Sequence, residues 1–335
     1  MSTQAKKSST VISHRKDADG ISSAALVRYM TGAEVYLTDY SDMVDTLSSV
    51  KPTEKVYISD LGLNKNTFDG FLAELSRFKR AGSEVHYTDH HPIHPNHLAQ
   101  LQSIGVDVYN SPSECAAVLI YGKYEPFFAN SPQMKILACA GAITDYMDLA
   151  PYAKKLVASF DRQFLLYEAT VLSFAIATIG RGSEESNSLL IDLVKRLADG
   201  KLPHEIPNAS ALAQEYVSRS AELIERVRRE GKRRENFAYF MTKESATGNV
   251  ANFLVGAFNV PVGAALREEE PGYFEVSLRS TEESKHDLGK IVGGIAARLN
   301  TSGGGHPHAS GARIKKEQLD EFLNALDSEL SRPVS

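Results

Sequence analysis

In the first half of the chain, short apolar runs alternate with longer stretches of helical spacing. The strand-like runs are STVISH, AEVYLTDY, KVYISD, SEVHYTDHH and VDVYN. Between them, GISSAALVRYM and NTFDGFLAELSRFKRAG repeat apolar residues every three to four positions, and a further helix opens at SPSECAAVLIYGKY. This alternation predicts an α/β fold, with a doubly wound, mostly parallel sheet and helices on both of its faces.

The pattern changes near residue 150. Residues 154–235 are mostly helical, and residues 206–235 read as one long polar helix that connects two domains. Strand-like runs then return as FAYFMTK, VPVGAALRE and YFEVSLRS, with helical patterns at GNVANFLVGAF, KHDLGKIVGGIAARLN and KKEQLDEFLNALDSELSR. The length of 335 residues also favours two domains, so residues 236–332 are predicted to form a smaller C-terminal α/β domain.

Composition narrows the class of protein. Apolar residues make up 42% and charged residues 24%, which is ordinary for a globular protein, and the net charge of −5 argues against a protein that coats DNA or membranes. Cys115 and Cys139 are far apart and form no C-x-x-C motif, so we expect a reducing compartment. No apolar run is long enough to span a bilayer, and residues 1–9 read as a disordered polar tail. We therefore expect a cytoplasmic protein.

Carboxylates and imidazoles cluster where the strand-like runs end. They occur in SHRKDADG, YISDLG and YTDHHP, and one more follows in the helical segment CAGAITDYMD. In open α/β sheets, ligands bind outside the carboxyl ends of the strands, so these groups are expected to converge in one crevice. The set is His14, Asp17, Asp19, Asp60, Asp89, His90, His91 and Asp145.

This set offers oxygen and nitrogen but no sulfur. Such donors suit Mn²⁺, Mg²⁺, Fe²⁺ or Zn²⁺ rather than a thiolate site. Eight groups are too many for one ion but fit two ions that share a bridging carboxylate. Two adjacent ions lower the pKa of a bound water and stabilise its attack on phosphorus.

The second domain offers groups that suit an anionic substrate. The segment TSGGGHPHASGARI contains Gly303, Gly304 and Gly305, followed by His306, and glycines allow backbone N–H groups to approach a phosphate. In YFEVSLRS, Arg279 shares a strand face with Glu275 and Ser277. Arg279 is therefore a candidate phosphate contact.

Each motif alone has an ordinary structural explanation. A lone Asp-His-His is more often a surface turn, Asp60 could simply cap a helix, and three glycines are usually a hinge. Their order along the chain, their placement at strand ends and the uniform donor chemistry together favour a metal centre.

Taken together, the motifs resemble those of the DHH phosphoesterase superfamily. HRKDADG, SDLG, DHH and GAITD match in order, and VSLRS with GGGHPHASGA looks like the DHH-associated domain of the same proteins. The resemblance implies a DHH domain over residues 10–205 with a helical extension from about residue 154, then the connector helix and the DHH-associated domain at 236–332.

The resemblance also implies roles for single residues. His14, Asp17 and Asp60 would hold one divalent ion, most simply Mn²⁺. A second ion would be held by Asp19, Asp60, His90 and Asp145. His91 would contact the reacting phosphate or its leaving oxygen, and Asp89 would orient an imidazole. The nucleotide would bind to Arg279, Gly303, Gly304, Gly305 and His306.

The implied function is metal-dependent hydrolysis of short oligonucleotides or dinucleotides to mononucleotides. A cyclic dinucleotide phosphodiesterase, a 3′-phosphoadenosine phosphate phosphatase and a non-catalytic nucleic-acid-binding scaffold are the alternatives. The first motif reads Lys16-Asp17-Ala18-Asp19, which is nearer to RecJ-like than to nano-RNase-like members. No membrane partner is expected, and the sequence leaves a homodimer open.

Overall fold

The computed structural model describes residues 8–180, 184–244 and 246–332, and it divides at Val217/Ser218 into two compact units. The first unit contains a five-stranded sheet in the order β2-β1-β3-β4-β5, and every neighbouring pair is parallel. The strands are β1 (Ser9–His14), β2 (Glu34–Thr38), β3 (Lys55–Ser59), β4 (Glu84–Asp89) and β5 (Asp107–Asn110). The predicted parallel α/β fold is confirmed.

Helices cover both faces of this sheet. They are α1 (Ala18–Thr31), α2 (Met43–Ser49), α3 (Phe68–Arg80), α4 (Pro95–Ser103), α5 (Ala116–Lys123), α6 (Glu125–Phe128) and α7 (Pro132–Thr144). Along β1, Val11 packs with α1, α5 and α7, whereas Ile12 packs on the other face with α2 and α3. Neighbouring strand residues thus enter different cores, which is why β1, β2 and β3 each carry consecutive apolar residues.

The helical extension follows the sheet. It consists of α8 (Pro151–Val157), α9 (Arg162–Ile179), α10 (Glu184–Ala198) and α11 (Ala209–Glu230), with a 3₁₀ turn at Pro203–Glu205. Buried residues of α9 and α10 belong to the same core as α1, α5 and α7. The unit boundary lies within α11, inside the segment predicted to be one long helix.

The second unit contains a six-stranded mixed sheet in the order β10-β11-β9-β8-β7-β6. Its elements are β6 (Lys232–Arg233), β7 (Ala238–Met241), α12 (Thr247–Phe258), β8 (Val262–Glu270), β9 (Tyr273–Ser280), α13 (Leu288–Arg298), β10 (Ser302–His306), β11 (Ala309–Lys315), a 3₁₀ turn at Lys316–Gln318 and α14 (Leu319–Leu330). Residues of α13 and α14 pack on one face, and those of α12 on the other.

Several boundaries differ from the sequence pattern. The expected tail at 1–9 is cut short, because Ser9 already belongs to β1, while residues 1–7 lie outside the described residues. The helix expected to open at Ser111 and Pro112 begins at Ala116. The short elements α2, α4, α6 and β6 were not predicted, nor were β10 and β11. In the described segments, no helix is both long and apolar enough to cross a bilayer.

Candidate metal centre

The strand order places a crevice at the carboxyl ends of β1 and β3. The chain leaves β1 toward β2 on one side, and continues from β3 to β4 and β5 on the other. Such a reversal of direction opens a gap above the sheet, which is the usual ligand site in this architecture. His14 is the last residue of β1, Asp60 follows β3, and Asp89 ends β4.

Tight packing holds the first motif in place. Asp17 is the N-cap of α1, and its Oδ1 accepts a hydrogen bond from the Gly20 N–H at 3.0 Å. A Cβ at Gly20 would lie 2.3 Å from the His14 carbonyl oxygen, so only glycine allows α1 to start this close to β1. This turn brings His14 Nδ1 to 2.7 Å from Asp17 Oδ2 and 3.6 Å from Asp60 Oδ2.

Asp60 occupies the middle of the crevice. Its Oδ1 lies 3.4 Å from His90 Nε2, while its Oδ2 faces His14. Its φ of 54° is left-handed, a conformation that Asp tolerates better than most residues and that often marks functional sites. Asp60 therefore offers one oxygen to each half of the cluster, as a bridging ligand would.

The other half gathers around His90. Its Nε2 lies 3.2 Å from Asp145 Oδ2 and 4.0 Å from Asp19 Oδ2. Asp145 is the C-cap of α7. Asp19 is fixed by the start of α5, because its two oxygens accept the N–H groups of Ala116 and Ala117, each at 2.8 Å.

His91 is oriented by Asp89. The buried carboxylate lies 2.9 Å from His91 Nδ1 and also accepts the Tyr87 hydroxyl at 2.8 Å. The His91 ring packs against Gly62, where a Cβ would lie 2.8 Å from His91 Cγ. His91 Nε2 is thus the ring nitrogen left to face the crevice.

The electrostatics of the cluster suit cations. Burial, with the charge of Asp60, raises the pKa of Asp19 well above its ordinary value, and burial, with the charge of Asp17, does the same for Asp60. Burial alone would lower the pKa of His14, but contacts with Asp17 and Asp60 outweigh it and raise that pKa to about 10. Carboxylates packed this closely repel one another, and divalent ions would remove the repulsion.

The donor set also passes a geometric test for metal ions. Among the described residues, three groups each contain at least three donor atoms that lie within 4.8 Å of one another, and two of these groups share Asp60. They are His14 with Asp17 and Asp60; Asp19 with His90 and Asp145; and Asp60 with Asp89, His90 and His91. Asp60 Oδ2 is buried and forms no hydrogen bond with the described residues, as expected of an oxygen aimed at an ion.

Two residues of the loop after β2 complete the crevice and were not predicted. Asp39 Oδ1 lies 3.6 Å from His14 Nε2, and the Tyr40 hydroxyl lies 3.4 Å from His91 Nε2. The run AEVYLTDY was read only as a strand. The strand-end rule that singled out Asp60 and Asp89 would have singled out Asp39 as well.

The predicted nucleotide-binding residues lie together in the second unit. The register pairs His306 with Ala309, and Ala309 with Arg279, so the three residues form one row across β10, β11 and β9. Arg279 lies over the start of α12, where a Cβ at Gly248 would come within 2.6 Å of its Nη2. His306 is exposed.

The triglycine forms strand β10 at the edge of the sheet. Gly303 packs against Val292, Ala296 and Ala312, where a Cβ would have neighbours at 3.0–3.1 Å. A Cβ at Gly289 would lie 2.2 Å from the Gly305 carbonyl oxygen. Glycines therefore let α13 approach β10, a packing role that the sequence pattern did not indicate.

Comparisons with known proteins were made by family, by sequence and by structure. Residues 236–332 match the model of the DHHA1 domain. No curated protein matches the chain.

Solved structures share its fold. The pGpG-specific phosphodiesterase PggH of Vibrio cholerae has a TM-score of 0.61 at 18% identity, over 96% of this chain and 98% of its own. The DHH domain of a member of the s1p family of ribosomal proteins has a TM-score of 0.66 at 15% identity, over 98% of this chain and 88% of its own. RecJ of Thermus thermophilus in complex with Mn²⁺ has a TM-score of 0.59 at 18% identity, over 98% of this chain and 53% of RecJ.

Proposed function

We propose that this chain, whose residues 236–332 match the DHHA1 domain, is a member of the DHH phosphoesterase superfamily. We further propose that it is a divalent-metal-dependent phosphodiesterase that hydrolyses short oligonucleotides or dinucleotides to mononucleotides. The observation that carries the proposal is the cluster around Asp60, where carboxylates and imidazoles from four segments meet in one crevice. Buried like charges of this kind are costly unless cations or protons neutralise them.

Two ions fit the cluster. His14, Asp17 and Asp60 would hold one, and a second would bind to Asp19, Asp60, His90 and Asp145. Oxygen and nitrogen donors favour Mn²⁺ or Mg²⁺ over softer ions, and we propose Mn²⁺. When bound, such ions lower the pKa of a water molecule and offset the charge that develops on phosphate.

The residues of this chain would then handle the leaving group. Water attacks phosphorus and releases a proton to solvent as the new P–O bond forms, and the bond from phosphorus to the leaving sugar oxygen breaks. That oxygen takes a proton from His91 Nε2, which yields a nucleotide phosphate and a free hydroxyl group. The hydrogen bond to Asp89 raises the pKa of His91, although burial opposes this shift. A larger fraction of His91 therefore carries the proton that it must donate.

The substrate would also be held by the second unit. Arg279, the Gly303–Gly305 strand and His306 supply a guanidinium, backbone N–H groups and an imidazole, which suit the phosphate and base of a nucleotide. A linear dinucleotide is favoured as the substrate because this chain shares its fold, over almost its whole length, with a pGpG-specific phosphodiesterase. We also propose that the protein acts in the cytoplasm.

Product analysis tests the substrate class. Protein reconstituted with Mn²⁺ would be incubated with a linear dinucleotide, short RNA and DNA, a cyclic dinucleotide and 3′-phosphoadenosine phosphate, and the products separated by chromatography. We expect mononucleotides from the linear dinucleotide at the highest kcat/KM. Faster opening of the cyclic dinucleotide, or release of inorganic phosphate from 3′-phosphoadenosine phosphate, would replace the proposed substrate by that alternative. Binding without any turnover would favour the scaffold.

Arg279→Ala tests the role of the second unit. Loss of a charge-assisted contact to phosphate costs about 1.5–3 kcal/mol, so kcat/KM for the dinucleotide should fall roughly 10- to 150-fold. Bis-p-nitrophenyl phosphate has no second phosphate to hold, and its hydrolysis should change much less. Equal losses on both substrates would mean that Arg279 acts at the reacting phosphorus instead.

A further inference from the structure

Tyr40 lies inside the proposed active site, although no sequence motif predicted a functional role for it. It is the second residue after β2 and is half-buried. Its ring centroid lies 5.2 Å from that of His14 and 6.4 Å from that of His91, which it meets edge-on. The ring therefore sits between the proposed metal ligand and the proposed proton donor.

The Tyr40 hydroxyl faces the reactive nitrogen of His91. Asp89 engages Nδ1 of that ring, so Nε2 is the atom that lies 3.4 Å from the hydroxyl oxygen. A distance of 3.4 Å is long for an O–H···N or N–H···O bond, so a phosphate oxygen could displace this contact at little cost.

A phenol at this position can act in few ways. Its ordinary pKa of about 10 keeps it neutral at pH 7, so it is a poor metal ligand beside four carboxylates. When His91 carries its proton on Nε2, that N–H faces the Tyr40 oxygen, and the Tyr40 O–H remains to be donated. Neutral donors aimed at developing negative charge are a common means of stabilising transition states.

We propose that Tyr40 is a catalytic residue, whose hydroxyl donates a hydrogen bond to a non-bridging oxygen of the scissile phosphate while His91 serves the leaving oxygen. This inference rests on the proposed phosphodiesterase function. Two neighbouring groups would then have different roles. His91 transfers a proton to the leaving oxygen, and Tyr40 keeps its proton throughout.

Tyr40→Phe tests the assignment, because it removes the hydroxyl and keeps the ring. Loss of one such donor lowers kcat by about 10²- to 10³-fold, so we expect at least a 10²-fold loss with little change in KM. Tyr36→Phe is the matched control, since Tyr36 lies on the same strand-and-loop segment, four residues earlier in β2, and should retain the wild-type rate. Calorimetric titration with Mn²⁺ should give the same affinity for all three proteins.

A comparison of two esters distinguishes the role of Tyr40 from that of His91. A nitrophenolate leaves without needing a proton, so His91→Gln should impair the dinucleotide far more than bis-p-nitrophenyl phosphate. Tyr40→Phe should impair both esters alike, because both develop charge on the non-bridging oxygens. A loss confined to the dinucleotide, a weakened Mn²⁺ affinity or a wild-type kcat in Tyr40→Phe would each overturn the assignment. A wild-type protein that hydrolyses neither ester would overturn the proposed function, and this role with it.

Discussion

Asp39 illustrates how a carboxylate outside the proposed ligand set can orient a proposed metal ligand. His14 Nδ1 faces Asp17 and Asp60, so Nε2 is the nitrogen that faces Asp39 at 3.6 Å. Asp39 is itself buried, accepts the Tyr40 N–H at 2.7 Å and contacts the Lys16 ammonium. A carboxylate behind a ligating imidazole fixes the orientation of the ring and strengthens it as a donor.

Asp39→Asn should therefore weaken Mn²⁺ binding by about 10- to 100-fold, which is the usual effect of losing such a partner. Titration calorimetry on the metal-stripped protein would measure it without any assay of activity. Asp45→Asn, which removes an exposed carboxylate from the first turn of α2, should leave the affinity unchanged. Wild-type affinity in Asp39→Asn would show that Asp39 serves only to hold the loop.

At the residue scale, sequence reasoning could place a side chain but not its contacts. Asp60 and Asp89 were identified because strands end there and polar groups at strand ends share one edge of the sheet. The division of Asp60 between two halves of the cluster depends on its left-handed backbone, which no spacing indicates. Tyr40 was missed because aromatic residues near strand ends are usually packed in a core.

At the element scale, the end of α7 carries an unusual residue. The Met147 N–H bonds to the Ala142 carbonyl oxygen at 2.8 Å and the Tyr146 N–H to that of Ile143 at 3.3 Å, the pattern of a Schellman motif. The left-handed position of this motif favours glycine, yet Tyr146 occupies it with φ of 57° and is 94% exposed. The helix end therefore carries backbone strain that no packing of the ring offsets.

Tyr146→Gly should stabilise the protein by about 0.5–1 kcal/mol, because relief of left-handed strain exceeds the extra entropy that glycine loses on folding. Tyr146→Ala is the matched control, since it removes the ring but keeps the Cβ, and it should give no gain. Urea unfolding of the three proteins measures the difference. An equal gain from both substitutions would locate the effect in the ring rather than in the backbone.

A second element-scale feature ties β5 to its neighbours. Asp107 Oδ2 lies 2.7 Å from Lys123 Nζ and 2.8 Å from His86 Nδ1. Partial burial raises the pKa of Asp107, but the hydrogen bonds from Lys123 and His86 outweigh it and hold the pKa below its ordinary value of 3.8. A lowered folded-state pKa adds stability above the unfolded-state pKa, and this stability is lost as the pH falls through the folded-state value.

Asp107→Asn should therefore lower the unfolding free energy at pH 6 to 7 and flatten its decline below about pH 4. The loss will be small because half of the side chain is exposed to solvent. Denaturant unfolding at several pH values would show it as a smaller slope against pH. A slope equal to that of the wild type in acid would show that Asp107 contributes nothing to acid stability.

The strands β10 and β11 show where pattern reasoning stops at this scale. Periodicity detects a strand by its apolar side chains, and SGGGH has none. Its extended form depends on pairing with β11 and on close contact with α13, both of which are tertiary. By contrast, β1, β3 and β4 carry short apolar runs and were located from the sequence alone.

At the scale of the whole molecule, the strand order explains why distant motifs meet. His14 and Asp89 are far apart in sequence, yet the parallel order β2-β1-β3-β4-β5 brings the strand-end motifs to one edge. The crevice holds carboxylates whose pKa values are raised by burial and by one another. Cations should be the natural occupants of such a site, and hydrolysis should depend on them.

The most direct test is the hydrolysis of a linear dinucleotide by protein stripped of metal and then supplied with Mn²⁺, with Asp60→Asn assayed in parallel. We expect no turnover by the stripped protein and full recovery with Mn²⁺. We also expect a loss of roughly 10³-fold or more in Asp60→Asn at unchanged fold, because one carboxylate would serve both ions. Turnover that persists after exhaustive chelation, or a near-wild-type rate in Asp60→Asn, would contradict the proposed metal-dependent hydrolysis.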